Sequence, residues 1–250
     1  MILDKEAYIK ECSSKLGISL DDSQVDRLIK YYELLIDWNE KINLTAITDF
    51  EEVCLKHFMD SFSIVKLFSS YEEAYNFFSG KKLIDVGTGA GFPGLCLKIL
   101  FPSLHVTLMD SLDKRVKFLN EVISSLKLDG IIAVHERAEK GAHSEEYREA
   151  FDFSVARAVA ALPVLCEYCI PFVKIGGYFI AYKSEKAEEE INVSGNALAK
   201  LGGKVSKKVS FSLSDGNLQR TLIKIEKEKE TPVVYPRKEG TPSKNHCEKG

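Results

Sequence analysis

Apolar residues recur along this chain with two different periods, and the change falls near residue 80. Val25, Leu28, Ile29, Tyr32, Leu35 and Ile36 return at steps of three and four, which places them on one face of a helix. Asp21 and Asp22 stand ahead of this run as candidate caps, and the pattern predicts a helix ending near Trp38 and Asn39. Residues 4–16 and 50–68 also read as helical, the second with Asp49 as its cap. The first 80 residues carry no strand pattern, so a small N-terminal helical domain is expected over 1–80.

From Lys81 onward, short apolar runs alternate with amphipathic ones. The runs "KKLIDVG", "HVTLMD", "GIIAVHE", "FDFSVARAV" and "GGYFIAYK" read as strands. Between them, "PGLCLKILF", "DKRVKFLNEVISSLKL" and "LPVLCEYCIPFV" read as helices, with Pro93 suited to a first helical position. "SEKAEEEINVSGNALAKLG" reads as one further helix. Strand–helix alternation predicts a parallel sheet covered on both faces. "KVSKKVSFSL" and "QRTLIKIEK", joined by "SDGN", predict a closing antiparallel hairpin. The expected fold class is α/β, a Rossmann-like sheet of seven mostly parallel strands with an antiparallel last strand. It spans a second domain over 81–230. A basic, Pro/Gly-containing tail over 231–250 has no apolar period and is expected to be mobile or laid on the surface.

Composition narrows the classes. The chain has 250 residues, 45% hydrophobic and 28% charged, with a formal net charge of −3. That suits a globular domain with a sizeable core, and no apolar run approaches the roughly 20 residues of a membrane span. The charged N-terminus has no signal-peptide core, so a cytoplasmic protein without membrane contact is expected. The six cysteines form no disulfide framework, and Cys166 with Cys169 is a lone C-x-x-C inside an apolar helix; no metal site is expected. Residues 1–80 carry 8 Lys/Arg and 15 Asp/Glu, whereas residues 81–250 carry 26 and 22. A polyanion should therefore meet the second part of the chain.

The chemistry concentrates in "LIDVGTGAGFPG", residues 83–94. Gly89, Gly91 and Gly94 fit G-x-G-x-x-G, and Asp110 follows 21 residues after Gly89, where an acid contacts a ribose. Either a nicotinamide dinucleotide or S-adenosylmethionine (SAM) satisfies that much. Three features favour SAM. Asp85 puts a carboxylate near a ligand that carries a sulfonium and an ammonium. Gly87, Gly89 and Gly91 make the G-x-G-x-G turn of class I SAM-dependent methyltransferases. The closing hairpin matches the reversed strand of that fold. Asp85 also has a purely structural reading, as an acceptor for the turn amides, and Asp110 has one as a helix cap. A nicotinamide-dependent oxidoreductase and a non-catalytic SAM- or RNA-binding protein remain the alternatives on these residues. The sequence after the fourth strand, "VARAVAALP", lacks the Asn/Asp-Pro-Pro-aromatic turn that often accompanies methylation of exocyclic amines. Cys166 lies too far into its helix for a ring-carbon nucleophile.

Six stretches together resemble the bacterial RsmG (GidB) family of 16S ribosomal RNA guanine-N7 methyltransferases: "WNEKINLTAITDFEEVCLKHFMDS", "LIDVGTGAGFPG", "LMDSLDKRVKFLNEV", "ERAE", "VARAVAAL" and "PRKEGTPSK". The resemblance covers nearly the whole chain. It implies SAM as the cofactor and small-subunit RNA, or the small ribosomal subunit, as the partner. It further implies cofactor contacts at Gly87, Phe92, Ala138, Glu139 and Arg157. Arg157, at a strand end, is also the residue given a catalytic part, gripping a carboxylate, a phosphate or a guanine edge; Arg157→Ala is expected to leave the fold intact. Ala90 and Phe92 depart from the proline and leucine common in the family, while the turn glycines are kept. Asn43, Thr45, His57 and Asp60 belong to its N-terminal signature, with structural and functional readings of the His57–Asp60 pair both open. Lys183, Lys207, Lys208, Arg237 and Lys238 are the candidate RNA contacts, alongside Lys200, Lys204 and Lys244, against the reading that each is simply solvated. A monomer is expected.

Overall fold

A computed structural model describes residues 3–184, 186–213 and 218–244. Two helices come first, α1 (Lys5–Ser14) and α2 (Asp22–Ile42). Asp21 caps α2 in a reciprocal capping box with Gln24, as its position in the sequence suggests. The helix runs past Asn39 and stops at Asn43, which takes a left-handed conformation. Its apolar face buries Val25, Leu28, Tyr31 and Leu35, so Tyr31 rather than Tyr32 is the fully buried ring.

The predicted helix over 50–68 is continuous but changes type. It passes from α3 (Phe50–Val53), capped by Asp49, into a π-helical turn (Cys54–Met59), then α4 (Asp60–Phe62) and a 3-10 turn (Ser63–Leu67). A π-turn inserts one residue into the helical ladder and re-aims the side chains on it. Helix α5 (Tyr71–Phe78), capped by Ser70, was not foreseen from the pattern.

The sheet follows: β1 (Lys82–Val86), α6 (Gly94–Leu100), β2 (His105–Asp110), α7 (Asp113–Ser125), β3 (Ile131–His135), α8 (Ala138–Gly141), β4 (Phe151–Arg157), α9 (Leu162–Cys169) and β5 (Val173–Lys183). Next come α10 (Ala187–Val193), α11 (Gly195–Leu201), β6 (Gly203–Ser212), β7 (Gln219–Lys227) and α12 (Thr241–Lys244). The helix predicted over 184–202 is thus two helices that meet at Ser194. Strand order is β3-β2-β1-β4-β5-β7-β6, with β1 to β5 parallel and β7 antiparallel to both its neighbours. The "SDGN" turn lies outside the described residues.

One buried cluster spans the N-terminal helices and one face of the sheet, joining Tyr31, Phe58 and Phe62 to Leu95, Phe118 and Val155. The other face packs mainly against α9 and α11. The N-terminal helices therefore have no core separate from that of the sheet. The tail is strapped down. Arg148 donates to the carbonyls of Thr231, Pro232 and Tyr235, and Arg237 grips the buried Glu167 carboxylate at 2.7 and 2.9 Å. No helix among the described residues is long and apolar enough to cross a membrane.

Candidate functional site

The glycine turn leaves β1 on the carboxyl side of the sheet, where strand order reverses between β1 and β4; ligands of doubly wound sheets bind at such a point. Asp85, penultimate in β1, is fully buried. Its Oδ2 accepts the Thr88 hydroxyl at 2.6 Å and the Gly94 amide at 2.8 Å, tying the turn to the start of α6. Burial pushes its carboxyl up to about 6, against the opposing pull of Thr88 and Gly94. Asp85 does not line the cavity beside the turn. This carboxylate shapes the loop that faces the cavity, which is the structural role its position also allows, while its Oδ1 is buried without a hydrogen-bond partner among the described residues.

That cavity has a volume of about 440 Å³, and its walls include Thr45, His57, Gly87, Gly89, Asp110 and Arg157. Gly89 has φ +62°, and a Cβ added there would meet no described atom within 4 Å, so its open side is the cavity. Gly91, at φ +97°, is different: a Cβ there would lie 2.6 Å from the Tyr31 hydroxyl. Tyr31 donates to the Ala90 carbonyl, so the missing Cβ of Gly91 makes room for the Tyr31 ring of α2. Asp110 ends β2, 2% exposed, and accepts the Gly89 amide at 2.9 Å and the Leu112 amide at 3.0 Å. Arg115 stands 3.4 Å from the same carboxylate. Phe92 lines the cavity, stacked between Tyr31 at 5.3 Å and His57 at 4.5 Å.

Arg157 ends β4 and is held from several sides. Its Nη1 donates to Asp60 Oδ2 at 2.8 Å, its Nη2 lies 3.3 Å from His57 Nδ1, and its guanidinium sits 5.1 Å from the Phe92 ring centre. Asp60, 2% exposed, also accepts Arg220 Nε at 2.8 Å. His57 Nε2 pairs with the Thr45 hydroxyl at 2.9 Å. Burial and the Arg157 charge lower the His57 pKa to about 4, so the ring is neutral at pH 7. A second cavity of about 350 Å³ lies beyond this group, with Asp60, Tyr182, Lys183, Glu190 and Arg220 in its walls. His57, Arg157 and Ala158 line both cavities.

The profile described as "GidB: rRNA small subunit methyltransferase G" matches residues 24–223. The chain belongs to this ribosomal RNA small subunit methyltransferase G family. It is 50% identical over 242 residues to the "Ribosomal RNA small subunit methyltransferase G" of Alkaliphilus metalliredigens, covering 97% of this chain and 98% of that protein. The protein of the same name from Acetivibrio thermocellus is 53% identical over 235 residues, covering 94% and 93%. Among solved structures, a 16S rRNA (adenine(1408)-N(1))-methyltransferase from Catenulisporales acidiphilia, solved with SAM, aligns with TM-score 0.51 at 13% identity over 65% of this chain and 91% of that one. That likeness bears on the fold alone. The fold is that of class I SAM-dependent methyltransferases, with the reversed β7 where a dinucleotide-binding sheet carries a further parallel strand.

Other expected contacts of this G-family chain lie elsewhere. Ala138 and Glu139 open α8, beyond the end of β3. Glu139 accepts the Gly240 amide of the tail at 3.3 Å and lines a separate cavity with Arg137, Arg237 and Lys238. Four of the five candidate RNA-binding residues are engaged within the chain. Lys183 bonds the Ala160 carbonyl at 2.8 Å and Glu190 at 2.6 Å; Lys207 bonds the Leu67 carbonyl; Lys208 pairs with Glu188; and Arg237 is committed to Glu167. Arg220 and Glu190 were missed from the sequence. The Asp60 partner of Arg220 and the Leu162 partner of Glu190 lie 160 and 28 residues away, and the chain carries no local signal for either of these pairings.

Proposed function

We propose that this protein transfers a methyl group from S-adenosylmethionine to N7 of a guanosine in 16S ribosomal RNA. Family membership supports the reaction class. The observation that carries the assignment to this site is the open backbone at Gly89, facing a cavity walled by Asp110 and Arg157 at the switch point of the sheet. These residues fit the cofactor: Asp110 offers a carboxylate to ribose hydroxyls, and the Gly87–Gly89 backbone permits close approach. Bound there, SAM supplies a methyl carbon on a positively charged sulfur.

The N7 lone pair of guanine forms the new N–C bond as the C–S bond breaks. Positive charge passes from sulfur to the five-membered ring of the base, and no proton leaves in the transfer. The chain therefore needs no general base, and its work is to orient the base and exclude water. A neutral His57 suits that task, because it adds no cation beside a sulfonium. Asp60 offsets the Arg157 charge and fixes the guanidinium between the two cavities. The protein acts in the cytoplasm as a monomer, on RNA or on the small subunit.

Labelled SAM and small-subunit RNA from a strain lacking this activity provide the test. Nuclease digestion and mass spectrometry should find labelled 7-methylguanosine. Label in another nucleoside, or none in RNA or subunits, would end the reading.

A further inference from the structure

We infer that the 350 Å³ cavity beyond Arg157 is the pocket for the target guanine, and that Glu190 reads the edge of the base carrying N1 and N2. This inference rests on the methyl-transfer reading above and goes further by naming the residue that selects the base.

The cavity volume lies within the roughly 300–1,000 Å³ of small-molecule sites, enough for a nucleotide lifted from its stack. It shares His57, Arg157 and Ala158 with the cavity beside the glycine turn, so the two cavities adjoin at these residues and a base in one can meet a donor in the other there. Two carboxylates line it. Asp60 is committed, one oxygen to Arg157 and the other to Arg220. Glu190 is half committed. Its Oε2 accepts the Leu162 amide at 2.5 Å and the Lys183 ammonium at 2.6 Å, while its Oε1 takes no hydrogen bond from the described residues. The side chain is 23% exposed, at the cavity wall.

An acceptor with a spare oxygen suits guanine in particular. The N1–H and N2–H₂ groups of guanine both donate, whereas adenine offers a lone pair at N1 and would face the carboxylate unfavourably. N7 lies across the purine from N2. A guanine held at Glu190 therefore turns N7 towards the junction of the two cavities at His57, Arg157 and Ala158, where the lone pair meets the methyl donor directly. Lys183 and Arg220, at the same cavity, supply positive charge for the O6 or phosphate oxygens.

The methylated position is first mapped by mass spectrometry. Small-subunit RNA is then assembled by ligation with guanosine, inosine or 7-deazaguanosine at that position. Inosine lacks only the N2 amino group. The unaltered enzyme should lose roughly tenfold or more in kcat/KM on inosine, the effect of one hydrogen bond to a charged group. Glu190→Gln keeps an acceptor for Leu162 but turns an amide N–H₂ towards the base. It should lose about tenfold or more on guanosine, discriminate inosine by less than about threefold, and keep its SAM affinity by calorimetry. Equal rates of the unaltered enzyme on guanosine and inosine would overturn the inference, whether or not the variant folds. So would a Glu190→Gln enzyme with unchanged discrimination. Methylation of the 7-deazaguanosine RNA would instead overturn the N7 reading.

Discussion

Removing the charge of Asp60 tests the centre of the site most directly. Asp60→Asn is nearly isosteric, but it leaves one acceptor oxygen where Arg157 and Arg220 now each have one at 2.8 Å. The carboxylate is 2% exposed, and the side chains of Arg157 and Arg220 are 12% and 22% exposed. Breaking a buried ion pair from one side costs about 3–5 kcal/mol, because the remaining charge stays desolvated. Water reaches both guanidinium groups in part, so the lower end applies, about 3 kcal/mol. In a chain of this size that lowers Tm by roughly 6–12 °C. Urea unfolding followed by circular dichroism measures the loss, and a double-mutant cycle with Arg157→Met isolates the pair. We expect a coupling of about 1–2 kcal/mol, the double variant losing less than the sum of the singles. Coupling below about 0.3 kcal/mol, the scatter expected of independent sites, would refute the argument. The same geometry reverses the expectation that Arg157→Ala leaves the fold intact. That variant strands Asp60 beside a single guanidinium and should lose about 2–3 kcal/mol as well as turnover.

The two turn glycines should fail in different ways. Gly89→Val should lose SAM binding by calorimetry, since its side chain projects into the cavity, with a smaller stability cost from a β-branched residue at φ +62°; Gly91→Ala should lose more stability, because its Cβ would also meet the Tyr31 hydroxyl at 2.6 Å. Near-normal cofactor affinity in the first, or an unchanged Tm in the second, would contradict the assigned turn. His57, at about 4 when folded against roughly 6.5 unfolded, contributes stability fully above pH 6.5, and about 3 kcal/mol of it is lost as pH falls towards 4. An imidazole titrating near 6.5 by NMR would contradict its burial against Arg157. Asp85 has the opposite sign: with a folded pKa of about 6 it costs stability as pH rises from about 4 through 6, by about 3 kcal/mol. Asp85→Asn should therefore be at least as stable as the parent at pH 7.5 and flatten that part of the pH profile, and a loss above about 1 kcal/mol there would show that the ionised form is needed.

The sheet was readable because its signals are local. Each strand is a short apolar run, each helix has a three- to four-residue period, and the turn carries its own glycines. The strands and the closing antiparallel hairpin follow from that pattern, whereas the strand order, with β7 inserted between β5 and β6, is set by long-range pairing that apolar spacing does not show. The reasons behind individual site residues were less readable, because they depend on partners distant in sequence. Gly91 looked like a ligand contact, yet its constraint is Tyr31, whose hydroxyl reaches the neighbouring Ala90 across 59 positions. Asp85 looked like a charge for the cofactor, and its Oδ2 is engaged by Thr88 and Gly94 within the turn while its Oδ1 is buried without a partner among the described residues. The π-turn over Cys54–Met59 has no signature in apolar spacing, although it carries His57 and leads directly into Asp60.

The boundary near residue 80 marks a change of local period, and the physics of the site crosses it. From before the boundary come the ring that supports the glycine turn, the Thr45–His57 pair on the cavity wall and the carboxylate that holds Arg157 and Arg220. From after it come the turn, Asp110 and both guanidinium groups. The segment before the boundary is the acidic part of the chain and the rest is the basic part, and at Asp60 the two signs meet in a buried contact. Cutting the chain near residue 80 would leave Phe92, Phe118 and Leu95 without the rings that cover them, and Arg157 without its counter-charge. The helices are therefore one wall of the candidate cleft, and a fragment beginning at residue 81 should show neither a cooperative urea transition nor SAM binding by calorimetry.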